Sequence, residues 1–79
     1  MTMNELLERI ITDPKIMTGK PTIKNTRITV DVILELLAAG MKPEEIAEDY
    51  KLDIKDIMAA LYYAAMIIGR EEILIEART

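Results

Sequence analysis

Four cations, Lys15, Lys20, Lys24 and Arg27, stand within a segment, residues 15–30, that holds no acid. Their chemistry is that of a phosphate or carboxylate binder: Arg presents a planar fork of donors, and Lys a point charge. The same stretch contains Thr18, Thr22, Thr26, Thr29, Asn25, Gly19 and Pro21. The rest of the chain is acidic. Residues 1–14 carry one base and three acids, residues 31–79 carry five bases and eleven acids, and the formal net charge is −4. At long range nucleic acid repels such a chain, while the local basic segment suits contact with phosphate or an acidic partner.

Gly19-Lys20-Pro21-Thr22 is not a P-loop. That pattern needs a Gly six residues before its Lys, where this chain has Pro14, and a hydroxyl after it, where Pro21 stands. Arg27 has two readings. It pairs with Asp31 or a helix carbonyl and pins its loop, or it contacts phosphate or an acidic surface. Lys15, Lys20 and Lys24 form with it the electrostatic footprint for nucleic acid or a partner, joined by Lys55 further on.

Missing residue types exclude other chemistry. The chain has no Cys and no His. Thiolate and imidazole zinc sites, disulfides, and Ser–His or Cys–His catalysis are excluded with them. No set of carboxylates converges in sequence on a concave acid–base site. No enzyme, metal or cofactor is expected.

The elements that position these residues are read from period and punctuation. Residues 4–9 suit a short helix. Asp13-Pro14 marks a turn. Thr22-Ile23 and Thr26-Arg27-Ile28, flanking Lys24-Asn25, read as a hairpin with Asn25 at its tip. From Thr29, a cap, the period becomes helical: Val30, Ile33, Leu34 and Leu37 share a stripe, and Gly40 ends the helix. Pro43 opens a second helix, with Glu44 and Glu45 in its first turn and Ile46, Ala47 and Tyr50 on its inner face. Glu44, Glu45, Glu48 and Asp49 give that helix a solvated acidic face, suited to a basic partner. Asp53 and Asp56 form a box-like start to a third helix, from about Ile54 to Ile68, which Gly69 interrupts. The expected organisation is a single domain: a hairpin segment at 10–28, a three-helix core at 29–69, and a tail at 70–79. The fold class is mainly α, a tri-helical helix-turn-helix bundle with a small N-terminal β-hairpin.

The third helix, "IKDIMAALYYAAMIIGR", is a poor reader of base edges, since Lys55 beside Asp56 is its one cation before Gly69. Its residues are apolar around the whole circumference, so it is buried on all sides. Either its own two neighbours surround it, or a second chain does. The preferred reading is a homodimer with Met58, Leu61, Tyr62, Ala65 and Met66 at the interface. Tyr62 and Tyr63, adjacent on a helix, face different ways, one into core or interface and one toward water. The 51% hydrophobic content also favours self-association, because so short a chain has little interior in which to hide it. No apolar run approaches the roughly 18 residues of a membrane span. Glu5 and Glu8 are unlike a signal peptide, so a cytoplasmic protein is expected.

The stretch "ITDPKIMTGKPTIKNTRITVDVILELLAAGMKPEEIAEDYKLDIKDIMAALYYA" resembles the domain-of-unknown-function family 433. The shared pattern is an Asp-Pro, a Gly-Lys-Pro, a Thr-Arg-Ile, a Leu-Leu-x-x-Gly helix end, a Glu-Glu-Ile helix and a Tyr before an alanine-rich helix. The chain departs from it at Asn25 and Thr18, where relatives carry Gly, and at Lys42, where many carry a Ser or Thr cap. The resemblance implies a homeodomain-like fold and an antitoxin of a type II toxin–antitoxin module. Such a protein binds a PIN-like ribonuclease toxin and operator DNA. The alternatives are a stand-alone DNA-binding regulator and a structural dimerisation module.

Overall fold

The computed structural model describes residues 2–76, with side chains up to residue 69. Thr2 starts the first helix, α1 (Met3–Leu7): its hydroxyl accepts the Glu5 N–H at 3.2 Å, and Glu5 accepts the Thr2 N–H at 3.4 Å. The helix stops short of Arg9 because β-branched Ile10 and Ile11 follow and form β1 (Ile10–Ile11).

β1 pairs antiparallel with β2 (Thr22–Ile23), Ile10 opposite Ile23 and Ile11 opposite Thr22. This corrects the expected hairpin, in which Thr26–Ile28 was the second strand. The chain does fold back at Asn25, whose φ is +66°, and the Thr26 N–H donates to the Ile23 carbonyl at 3.0 Å. But the Thr26 hydroxyl donates to the Ile23 carbonyl at 2.7 Å and accepts the Ile28 N–H at 3.0 Å. The Ile23 N–H still donates to the Ile28 carbonyl at 2.9 Å, so the hairpin closes as expected, but the Thr26 bonds leave Thr26–Ile28 outside any strand. A single bridge joins Thr22 to Thr29.

Thr29 then caps α2 (Val30–Ala38), accepting the Val32 N–H at 3.4 Å. Gly40, at φ +101°, ends it. α3 spans Pro43–Asp49. Its start has half a capping box: Glu45 accepts the Lys42 N–H at 3.0 Å, but a Lys side chain has no acceptor to offer in return. α4 spans Ile54–Glu76 and runs straight through Gly69, where an interruption was expected. One helical Gly costs only about 1 kcal/mol, which a long helix tolerates. The tail expected at 70–79 is thus helix to Glu76; residues 77–79 lie outside those described.

α4 lies against α1, α2 and α3 and carries the centre of the core. Ile23, Val30, Ile33, Ile46, Ile57 and Ala60 are buried together. Ile46 and Ala47 face inward as expected, but Tyr50 is 41% exposed, because α3 has ended and Tyr50 is its C-cap. The protein is mainly helical, with four helices and a small two-stranded sheet among the described residues. None of the described helices is long and apolar enough to cross a membrane.

Candidate functional site

The threonines of the basic segment serve the fold. Thr22 and Thr29 are 1% and 2% exposed. The Thr22 hydroxyl donates to the Lys20 carbonyl at 2.7 Å, and the Val30 N–H donates to the Pro21 carbonyl at 2.9 Å. Among the described residues no buried side-chain polar atom lacks a partner, as expected of a well-made interior.

The cations differ in their surroundings. Lys20 Nζ lies 3.3 Å from Asp31 Oδ2. This corrects the expected Arg27–Asp31 pairing: Lys20 reaches across from the start of β2 and takes the carboxylate. The Thr29 hydroxyl first, and then the Lys20 ammonium and the Val32 N–H, hold the Asp31 carboxyl below its usual pKa, outweighing the desolvation that opposes them. Arg27 is exposed and, among the described residues, forms no ion pair. It lines a shallow cleft with Ile11, Ile16, Asn25 and Thr26. Lys24 lines a different cleft, with Glu5, Glu8, Arg9, Asn25 and Asp56, where acids outnumber bases. Lys15 is exposed beyond the Asp13 turn, and Lys55 is exposed in the first turn of α4.

One ion pair escapes sequence reasoning. Arg9 Nη1 lies 3.0 Å from Asp56 Oδ1, with the side chains 28% and 13% exposed. It ties the end of α1 to the first turn of α4. Asp56 also accepts the Asp53 N–H through Oδ2 at 3.0 Å, the box read from sequence. Arg9 carries no local signal, since its partner is 47 residues away.

The clearest surface feature is on α4. Its inward side buries Ile57, Ala59 and Ala60, with Tyr63 packed against the core. Its outward side exposes Ile54 (39%), Met58 (51%), Leu61 (40%) and Ile68 (52%), together with Ala65. At 3.6 residues per turn these five fall within about 80° of arc, opposite the core. The helix is therefore not buried on all sides within one chain, as its composition suggested; α1, α2 and α3 cover one side only. Tyr62 and Met66 are half-buried at the flank of this stripe rather than in it. Ile54 and Ile68, absent from the expected interface, complete it. The i, i+4, i+7 spacing visible in the sequence is the signal that finds them. A second apolar groove lies between α2 and α4, lined by Val30, Leu34, Tyr63, Ala64, Ile67 and Ile68, with the Lys20–Asp31 pair at its rim.

No curated protein and no solved structure matches this chain. One family does, a protein of unknown function (DUF433), whose sequence model matches residues 10–64. That span runs from β1 through the middle of α4 and takes in the basic segment, the acidic helix and most of the exposed stripe. The chain belongs to the DUF433 family.

Proposed function

We propose that this chain is an interaction protein of the antitoxin type: a helix-turn-helix-like domain of α2, α3 and α4 that binds and silences a basic PIN-like ribonuclease, working as a homodimer in the cytoplasm. One observation carries the reading. α4 takes the place of a reading helix, and its outward face is Ile54, Met58, Leu61, Ala65 and Ile68. Base edges are read by Arg, Lys, Asn and Gln, whereas a contiguous apolar face is a surface for protein. The exposed acids Glu44, Glu45, Glu48 and Asp49 on α3 add a negative surface on which a protein evolved to hold RNA phosphates can dock. The test is affinity capture on the tagged full chain from its native cell, followed by an RNA-cleavage assay on the captured material. A small basic ribonuclease, inhibited by added chain, is the expected result; capture without ribonuclease activity overturns the reading.

A stand-alone DNA-binding regulator is the second reading. It is favoured by the tight turn at 50–53 between α3 and α4, with Lys51 and Lys55 exposed there. It also needs the cations of residues 15–30 to share that face. Under it, a duplex binds with steep salt dependence, and Lys20→Glu with Lys24→Glu abolishes binding; binding unchanged by the double reversal removes that segment from the footprint. A structural dimerisation module is what is left if neither partner binds.

A further inference from the structure

We propose that the cleft beside Arg27 binds a carboxylate side chain of a partner protein, an Asp or Glu flanked by an aliphatic residue. The cleft is lined by Ile11, Ile16, Asn25, Thr26 and Arg27. Ile10 packs against the core, so Ile11, its neighbour in β1, faces the other side of the strand, where the cleft lies. Ile16 adds a second apolar wall. Its N–H donates to the Asp13 carbonyl at 2.8 Å, and its carbonyl accepts the Gly19 N–H at 3.1 Å. Those bonds frame a turn in which Met17, Thr18 and Gly19 all have positive φ, at +50°, +56° and +84°. Two non-glycine residues held in that region are strained, and strain of this kind gathers at binding sites.

Charge names the occupant. Arg27 is the one charged residue among the five, and no acid lines the cleft. The acceptors nearest to it in sequence are engaged. The Ile23 carbonyl takes the Thr26 hydroxyl, the Ile28 carbonyl takes the Ile23 N–H, and Asp31 takes Lys20. The guanidinium therefore offers its fork of donors to a group from outside, and the Asn25 amide adds donors of its own. A carboxylate on an aliphatic arm meets both the fork and the two isoleucines. Nucleic acid fits less well, because it is held by several cations at once. Here Lys20 is paired with Asp31, Lys24 lines a cleft with Glu5, Glu8 and Asp56, and the whole chain carries −4.

The site stands apart from the ribonuclease reading: a captured partner without ribonuclease activity ends that reading and leaves the cleft as it is. The test titrates the isotope-labelled full chain with a Leu-Glu dipeptide blocked at both ends. Nuclear magnetic resonance follows the Arg27 Nε–H and the Asn25 and Thr26 amides. Half-saturation at about 1 to about 10 mM is expected for so small a probe. The blocked Leu-Gln dipeptide is expected to bind at least about tenfold more weakly, and so is Leu-Glu to Arg27→Gln, since each loses a charge-assisted bond. Arg27→Lys, which keeps the charge and loses the fork, is expected to fall between. Arg27 is exposed and forms no ion pair among the described residues, so both variants are expected to keep the wild-type spectrum elsewhere. No shift at these resonances up to about 50 mM overturns the proposal. Equal binding of Leu-Gln means an apolar contact alone, and equal binding of inorganic phosphate means a general anion contact. Displacement of the dipeptide by a short DNA duplex means a nucleic-acid site. Each of these three results overturns it as well.

Discussion

Two helices of this protein end in the same motif with different residues at its strained position, which permits a quantitative test. At the end of α2, the Gly40 N–H donates to the Leu37 carbonyl at 3.0 Å and the Met41 N–H to the Leu36 carbonyl at 3.1 Å. At the end of α3, the Lys51 N–H donates to Glu48 at 3.4 Å and the Leu52 N–H to Ala47 at 2.8 Å. Both are Schellman caps, whose C′ residue takes positive φ. Gly40 sits at +101° and Lys51 at +56°. A Cβ in the left-handed region costs roughly 1–2 kcal/mol, and glycine gives back about 0.5–1 kcal/mol through its looser unfolded state. Lys51→Gly is therefore expected to stabilise the protein by about 0.5–1 kcal/mol, raising Tm by about 2–8 °C for a domain of this size. Lys51 is exposed and holds no ion pair among the described residues, so nothing offsets the gain. Gly40→Ala is expected to lose about the same amount. An added Cβ there meets no atom within 4 Å, so the loss is backbone strain alone. Urea unfolding followed by far-UV circular dichroism at one protomer concentration measures both, and the concentration is held because self-association shifts apparent stability. If Lys51→Gly is neutral or destabilising while Gly40→Ala behaves as stated, the turn between α3 and α4 does not have the left-handed geometry on which the argument rests.

Three shorter predictions use the same assay. Lys42→Ser completes the half-made capping box with Glu45 and is expected to add about 1 kcal/mol; no gain means the Glu45 contact alone saturates that helix end. Arg9→Met keeps the stem but strips the partner from Asp56, which is only 13% exposed; a loss of about 1–2 kcal/mol is expected, and no loss would show the pair to be incidental. The Asp31 carboxyl has a lowered pKa in the folded protein, so its contribution is present above its unfolded value and is lost as pH falls through the folded one. The stability difference between wild type and Asp31→Asn is accordingly expected to shrink from about pH 5 to about pH 3, and a difference that stays flat contradicts the assignment.

What could be read from the residues was whatever a few neighbours determine. Thr29 and Gly40 bracket α2, Pro43 opens α3, and Asp53 with Asp56 opens α4, each by a contact within four residues. What could not be read depends on distant partners. Ile23 pairs with Ile10 in the sheet and reaches its own hairpin only through the bond to Ile28, because the Thr26 hydroxyl satisfies the backbone between them. Arg9 finds Asp56 only once α1 lies on α4. The candidate interface suffered the same way. The apolar character of α4 was plain, but composition cannot divide a helix into faces. Met58 and Leu61 are outward and Tyr62 and Met66 half-covered only because α1, α2 and α3 pack where they do.

The concentration of positive charge in residues 15–30 then has an internal explanation. The segment is a strap laid between acidic elements. Lys20 meets Asp31 at the start of α2, and Lys24 lies in the cleft of Glu5, Glu8 and Asp56, where α1 approaches α4. Segregating charge along the chain lets a segment with little regular secondary structure be drawn onto the helices, since two paired residues of sheet are barely stable alone. If that is its main role, the folded protein should lose stability modestly as ionic strength rises from about 0.01 to about 0.5 M, because exposed pairs are screened within a few ångströms at the higher value. Lys20→Glu with Lys24→Glu should abolish that salt dependence or reverse its sign. A wild type that salt leaves unchanged or stabilises in this range would return the cations to an external partner.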